Sequence, residues 1–111
     1  MGTDYKDFNE FWPFYVREHS KKGTRTLHFI GTTALFIFLT ASIWNGSVWS
    51  LIGGIFSAYA CAWTGHFLIE KNRPATFHYP LLSLMGDFKM YAFMLTGRME
   101  KELQRINPGP V

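Results

Sequence analysis

The sequence predicts an all-α fold: a membrane-spanning helical hairpin flanked by two amphipathic or interfacial helices, within a single domain over residues 1–111. The first observation behind this prediction is that residues 26–69 contain no Asp, Glu, Lys or Arg over 44 positions. Charged groups are costly in hydrocarbon, so a segment that crosses a membrane excludes them. The second is an aromatic content of 18%, which is more than a small soluble core requires.

The uncharged stretch divides into two predicted membrane spans. Residues 26–44 supply 19 uncharged positions, about the minimum for a span, and residues 48–69 supply 22 more. Between them, Asn45-Gly46-Ser47 is typical of a turn. Trp44 and Trp49 lie on either side of the turn, as aromatic residues do at a membrane surface. This pattern predicts a tight helical hairpin.

Basic residues next to the hairpin predict its orientation. Lys21, Lys22 and Arg25 precede it and Lys71 and Arg73 follow it, whereas the turn is uncharged. The positive-inside rule therefore predicts that both termini are cytoplasmic, in the inner membrane of a bacterium or the endoplasmic reticulum of a eukaryote. The formal net charge is only +3, with no long basic tract, which argues against a nucleic-acid partner. The single Cys61 excludes an intrachain disulfide and a cysteine zinc site.

Two further helical segments flank the hairpin. In residues 5–20, Phe and Trp residues recur at helical spacing, which predicts an amphipathic helix whose aromatic face packs or anchors the chain at the membrane. Gly23 is the expected C′ residue after this helix. Residues 81–105 predict one interfacial or re-entrant helix, with Gly97 as a candidate break, and residues 106–111 predict a tail.

The candidate chemistry lies in three histidines and one carboxylate. If the chain turns near Asn45, His28 and His66 differ in depth by only a few Å at ~1.5 Å per residue. His19 ends the apolar face of the first helix, and Glu70 follows His66 by one helical turn. A nitrogen-rich set of this kind suits Fe(II) and oxygen chemistry, although zinc, copper and nickel also bind imidazole.

Structural interpretations of the same residues remain open. Each histidine alone is compatible with an ordinary hydrogen-bonded role, and His78 is expected to be an exposed loop residue outside the site. Glu70 has an alternative role as an ion-pair partner of Lys71 or Arg73. Asp87 either caps the last helix or joins the polar site. A bis-His haem protein is a further alternative, since histidines at matched depth on facing helices also suit haem.

Three blocks of the chain resemble one known family, the yeast-type 2-hydroxy fatty acid dioxygenases, which are small multi-helix membrane proteins. The blocks are Phe11–His19 (FWPFYVREH), Leu27–Thr32 (LHFIGT) and Gly65–Phe77 (GHFLIEKNRPATF). The Gly-His-x-x-x-Glu run followed by Pro-Ala is the most specific part. The chain resembles a short form of the family, because the yeast-type protein is longer and has additional hydrophobic segments.

The resemblance implies an enzyme that uses Fe(II) and molecular oxygen to remove one carbon from a long-chain 2-hydroxy fatty acid. His19, His28 and His66 match the family's histidines, Glu70 matches its acidic residue, and His78 has no clear counterpart. In this interpretation the three histidines hold Fe(II), Glu70 is a fourth ligand or orients His66, and Arg73 or Arg25 neutralises the substrate carboxylate.

Alternatives to the enzyme remain at this stage. One is a non-enzymatic membrane interaction or lipid-binding protein, with another lipid as ligand. The oligomeric state is left open, a homo-oligomer included.

Overall fold

The computed structural model describes residues 5–107, and this part of the chain is helical, with no strand. The five helices are α1 (Phe8–Arg17), α2 (Lys22–Asn45), α3 (Val48–Thr64), α4 (Pro80–Leu95) and α5 (Met99–Ile106). A π-helical turn, Gly65–Glu70, continues α3, and a 3-10 turn, Ala75–Phe77, precedes α4. The predicted all-α fold is confirmed, and the two longest apolar helices can form the expected hairpin.

Helices α2 and α3 form an antiparallel pair whose turn lies at Asn45-Gly46-Ser47. Gly46 ends α2 with φ of 69°, a left-handed conformation that costs glycine nothing. The Ser47 hydroxyl accepts a hydrogen bond from the Trp49 amide and caps α3. The two helices approach closely at Gly54, where an added Cβ would lie 2.7 Å from the Cβ of Phe38. Small residues therefore set the spacing of this pair.

The outer surface of the hairpin is apolar and uncovered. Lys22–Asn45 (24 residues) and Val48–Glu70 (23 residues) are each long and apolar enough to cross a membrane. At the turn, Ile43, Trp44 and Trp49 are 77%, 90% and 75% exposed. Such contiguous apolar surface is typical of a segment that contacts lipid.

Helix α1 buries its aromatic face inside the protein. Phe11, Trp12, Tyr15 and Val16 are at most 3% exposed and pack in one core that also contains Met90 of α4 and Met99 of α5. The Asp7 side chain accepts a hydrogen bond from the Glu10 amide and caps the start of the helix. Of the two roles expected for this face, packing is therefore the one that the structure supports.

The expected single helix over residues 81–105 is two helices in the structure. Gly97, with φ of 73°, follows the end of α4, and the Arg98 amide donates to the Phe93 carbonyl at 2.8 Å. This hydrogen bond and that from the Gly97 amide to the Met94 carbonyl form a Schellman motif, which ends the helix and redirects the chain. Of the expected tail, Ile106 ends α5, and residues 108–111 lie outside the described part.

The prediction that Gly23 ends the first helix is wrong. Helix α1 ends at Arg17, and Gly23 lies in the first turn of α2 with an ordinary helical φ. An added Cβ at Gly23 would lie 3.1 Å from the Ile69 side chain. A side chain at Gly23 would be a tight fit, because the π-helical turn after α3 packs closely on the start of α2.

Candidate metal centre

The structure brings together the three histidines that the sequence singled out. His19 follows α1, His28 lies in the second turn of α2, and His66 lies in the π-helical turn. All three are buried, and one ring nitrogen from each lies within 4.8 Å of the other two. The ring planes are nearly perpendicular to one another, at 78° to 86°, with centroids 4.5 to 5.0 Å apart. The rings therefore converge on one point from three directions.

The outward nitrogen of each ring has an oxygen partner. His19 Nδ1 lies 2.7 Å from the Tyr15 carbonyl, and His28 Nδ1 lies 2.9 Å from the Thr24 carbonyl. A carbonyl oxygen can only accept, so both Nδ1 atoms carry the proton and donate. A neutral imidazole has one proton, so the Nε2 atom of each is an unprotonated lone-pair donor. His19 Nε2 and His28 Nε2 are 3.1 Å apart.

Asn72 fixes His66 in the same tautomer as the other two histidines, with the proton on Nδ1. His66 Nδ1 lies 2.7 Å from Asn72 Oδ1, and Asn72 Nδ2 donates to the Glu18 backbone carbonyl and to Glu18 Oε1. Because the two bonds to Glu18 fix which end of the amide is the donor, Oδ1 must accept from His66. His66 Nε2 is then also a bare lone pair that is available to a cation.

This arrangement of donors fits a transition metal better than it fits a metal-free protein. Two neutral Nε2 lone pairs at 3.1 Å have no proton to share, and they repel unless a cation lies between them. With metal–nitrogen distances of ~2.0–2.1 Å, neighbouring ligands at right angles lie ~3 Å apart. Burial and the nearby His28 and His66 rings lower the pKa of His19 well below its usual value, which keeps this ring neutral.

Three roles were expected for Glu70: a fourth metal ligand, a group that orients His66, or an ion-pair partner of Lys71 or Arg73. The structure places Glu70 outside the group of three converging histidines and gives it other contacts. Its carboxylate accepts hydrogen bonds from the Ser20 and Lys21 amides and from the Ser20 and Thr24 hydroxyls. Lys21 supplies no side-chain cap for α2, so Glu70 satisfies the amides at the start of that helix from the end of α3. His66 is oriented by Asn72 instead, and the ion pairs found among residues 5–107 do not join Glu70 to Lys71 or Arg73.

The two candidate carboxylate-binding arginines lie in different places. Arg73 packs over the Phe77 ring at 5.1 Å and lines a hollow with Glu18 and His78. Arg25 is buried beside the histidines, where it donates to the His19 carbonyl at 2.9 Å and pairs with Glu100 at 3.4 Å. His78, expected outside the site, is exposed and does not belong to the histidine cluster.

A second polar pair, of buried Tyr15 and partly buried Asp87, lies next to the histidines. The Tyr15 hydroxyl donates to Asp87 Oδ1 at 2.6 Å, and the Tyr15 ring stacks on His19 at 4.0 Å between centroids. Burial raises the pKa of Asp87 to about 7. Asp87 lies in the middle of α4, so it does not cap that helix, and the structure supports the expectation that it joins the polar site.

The raised pKa of Asp87 predicts a pH-dependent stability. An unfolded Asp loses its proton near pH 3.8, whereas the folded protein holds it until about pH 7. Stability is therefore fully present below pH 3.8 and is lost as the pH rises through that window. We expect Asp87→Asn to remove this slope, so that its melting temperature rises relative to the unaltered protein as the pH increases. Thermal unfolding of both proteins in detergent across the window measures the difference, and a pH-independent difference would contradict the assignment.

Some residues of the site were not predicted from the sequence. Asn72 lies six residues after His66, in the block Gly65–Phe77 that resembles the family. This position was the feature of the sequence that could have identified it. Tyr15 was identified only as part of an aromatic face, because a one-dimensional pattern does not show that its hydroxyl reaches α4. Pairs of this kind depend on helix packing and not on spacing along the chain.

Together, the apolar hairpin and the three converging imidazoles define a class: a helical protein with two candidate membrane spans and a buried three-histidine site able to hold a metal ion. The chain belongs to the Mpo1-like family, whose model is described as 2-hydroxy-palmitic acid dioxygenase Mpo1-like and matches residues 5–99. The family expected from the three sequence blocks is thereby confirmed. Comparison with curated proteins gives no match, and comparison with solved structures gives none either.

Proposed function

We propose that this protein is an Fe(II)-dependent dioxygenase that shortens long-chain 2-hydroxy fatty acids by one carbon. The observation that carries the proposal is the convergence of three unprotonated Nε2 atoms in a buried site. The family model supplies the reaction class and the kind of substrate, since its description names a 2-hydroxy-palmitic acid dioxygenase. The histidines supply a reason why such chemistry can occur in this chain.

Iron is the metal that best suits both the donors and the reaction. Three neutral imidazoles without a thiolate leave coordination positions open for substrate and oxygen, as in non-haem Fe(II) oxygenases. When bound, Fe(II) would supply the one-electron chemistry that activates molecular oxygen. His19, His28 and His66 would hold the ion, and Asn72 and the Tyr15 and Thr24 carbonyls would keep each ring in the binding tautomer.

The proposed roles of the charged residues follow their contacts. Arg25 lies next to the histidines, because its guanidinium donates a hydrogen bond to the His19 carbonyl. Its positive charge there favours the binding of a substrate carboxylate. Arg73 stays the second candidate for that role, and it lines a hollow with Glu18, whose carboxylate accepts a hydrogen bond from Asn72. Glu70 acts indirectly, since its hydrogen bonds fix the loop between His19 and α2.

A haem protein fits the geometry less well. Two axial histidines on opposite sides of an iron place their Nε2 atoms ~4 Å apart, with a flat macrocycle between them. Here two Nε2 atoms are 3.1 Å apart and a third perpendicular ring occupies the same space. The alternative of a non-enzymatic lipid-binding protein does not explain why three unprotonated Nε2 atoms are buried close together.

The test of the proposed function supplies 2-hydroxypalmitate, Fe(II) and oxygen to the protein in liposomes. With one O₂ per substrate, the reaction balances to pentadecanoate, carbon dioxide and water. We expect pentadecanoate to accumulate in proportion to oxygen consumed, and to be absent when iron is replaced by zinc. Palmitate, which lacks the 2-hydroxyl, is the matched control substrate. Iron-loaded protein that makes no shortened acid from 2-hydroxy acids of any length would overturn the proposal.

We further propose that both termini face the cytoplasm, because basic residues flank the hairpin on the side of the termini and the turn is uncharged. In a Cys61→Ser background, a cysteine at Ser20 should react with an impermeant thiol reagent only from the cytoplasmic side. A cysteine at Ser47, in the turn, should react only from the opposite side. Equal reactivity of the two positions from one side would exclude a spanning hairpin.

A further inference from the structure

A cavity of about 320 Å³ opens next to the three-histidine site. It lies between α2, α3 and α4, and its volume is in the range of small-molecule sites. Along α2 its wall changes from His28 and Thr32 to Leu35, seven residues and ~10 Å away. On the antiparallel α3 the wall continues through Ile55 to Leu51, toward the hairpin turn. The cavity is therefore polar near His28 and apolar toward the turn.

Asp87 is the acidic residue in this lining, and half of its carboxylate is unused. Its Oδ1 accepts from the Tyr15 hydroxyl, and within residues 5–107 Oδ2 has no hydrogen-bond donor. Asp87 is partly exposed, and among the described residues no buried side-chain oxygen lacks a partner, so Oδ2 is accessible to a molecule in the cavity. When Asp87 is ionised, its free oxygen in the wall of this cavity is positioned to accept a hydrogen bond from a bound molecule.

We infer that this cavity binds the 2-hydroxy fatty acid in one orientation, with Asp87 accepting a hydrogen bond from the 2-hydroxyl and Leu35, Leu51 and Ile55 contacting the acyl chain. The inference rests on the proposed function and adds to it a position for the substrate and a residue that recognises the hydroxyl. The head then lies beside His28, where the reacting carbon must be. The cavity is partly open, so the end of a long acyl chain extends out of it.

The hydroxyl contact should determine substrate choice. A site built to hydrogen-bond a substrate hydroxyl rejects the analogue that lacks it, because its own polar group is left unpaired. Palmitate is the analogue that tests this, since it differs from 2-hydroxypalmitate only at the hydroxyl. The apolar wall makes the same contacts with both acids, so it contributes affinity but no discrimination between them.

The first experiment measures binding and not turnover. A photoactivatable 2-hydroxypalmitate with a diazirine in its chain labels the protein in nanodiscs, and unlabelled acids compete. We expect 2-hydroxypalmitate to compete at least about tenfold better than palmitate. Asp87→Leu should bring this ratio close to one, whereas Asp87→Asn, which keeps an accepting oxygen, should retain most of it. An unchanged ratio in folded Asp87→Leu would overturn the role of Asp87.

The second experiment locates the acyl chain, and its first measurement uses the unaltered protein. Cross-links mapped by mass spectrometry should fall on Leu35, Leu51 and Ile55. Leu51→Trp should reduce labelling severalfold by filling the apolar end. Ile52→Trp is the matched control, because the neighbouring Ile52 does not line the cavity but a hollow beside it that contains neither Leu35 nor Leu51. Labelling spread evenly over exposed residues such as Ile37 and Phe56 would overturn the proposed binding site.

The two proposals fail in different ways. Selective labelling and a hydroxyl preference without any pentadecanoate would contradict the proposed reaction while supporting the binding site. Production of pentadecanoate with an unchanged preference in Asp87→Leu would support the reaction and contradict the assignment of Asp87.

Discussion

His66→Ala is expected to lower iron affinity by more than about 100-fold and to abolish formation of the shortened acid. The magnitude follows because even the loss of a group that only orients a ligand costs 10–100-fold in affinity, and His66 would itself be one of three ligands. His66 is also the histidine that ties the end of the second span to the other two. Iron content of anaerobically purified protein, measured per chain, gives the result directly.

His78→Ala is the matched control, because His78 lies outside the cluster and should keep its full iron content. Asn72→Leu should give an intermediate loss of 10–100-fold, since His66 would lose the acceptor that fixes its tautomer. Circular dichroism of each variant separates loss of metal from loss of fold. Equal iron content in His66→Ala and His78→Ala would show that the ligand set is wrong.

Gly86→Ala should strongly destabilise the fold, because there is no space for a methyl group at this position. An added Cβ would lie 2.6 Å from Tyr15 Cδ2 and 2.8 Å from Cε2. The Tyr15 ring cannot give way, because it is held between Trp12 and His19 and its hydroxyl is bonded to Asp87. Overpacking of a tight core costs about 1–3 kcal/mol, and we expect a fall of several degrees in melting temperature.

The control for this prediction is Gly53→Ala in α3. There an added Cβ would lie 3.6 Å from the nearest atom of Phe38, an ordinary contact. Because alanine favours the helix by ~1 kcal/mol, this variant should be neutral or slightly more stable. Gly86→Ala should also lower iron affinity, since a displaced Tyr15 moves the carbonyl that orients His19. Equal melting temperatures for the two variants would contradict the close contact between α4 and Tyr15.

The hairpin and the histidine set could be predicted because their signals are local. A long stretch without charged residues indicates a membrane-spanning segment, and this can be seen from the residues of that stretch alone. Once the turn is placed, the depth of His28 and His66 follows from helical rise alone. Both arguments need only the order of residues within a single helix, which can be read from the sequence.

The contacts between helices could not be predicted in the same way. We expected Glu70 to act on His66 because the two residues are one helical turn apart, but its carboxylate caps α2. The contact requires knowing that the end of α3 lies against the start of α2. Asn72 and Asp87 illustrate the same limit, since each acts across a helix boundary. The cavity between α2, α3 and α4 could not be predicted for the same reason, because its wall is built from three helices.

The placement of the three histidines has a consequence for how the two parts of the protein are held together. His28 and His66 belong to the hairpin, whereas His19 belongs to the connection from α1, whose own core is shared with α4 and α5. If the three rings hold iron as proposed, the ion would link that core to the hairpin. Bound iron would then stabilise the packing of α1 on the rest of the protein, because the complete ligand set exists only when α1 is in place.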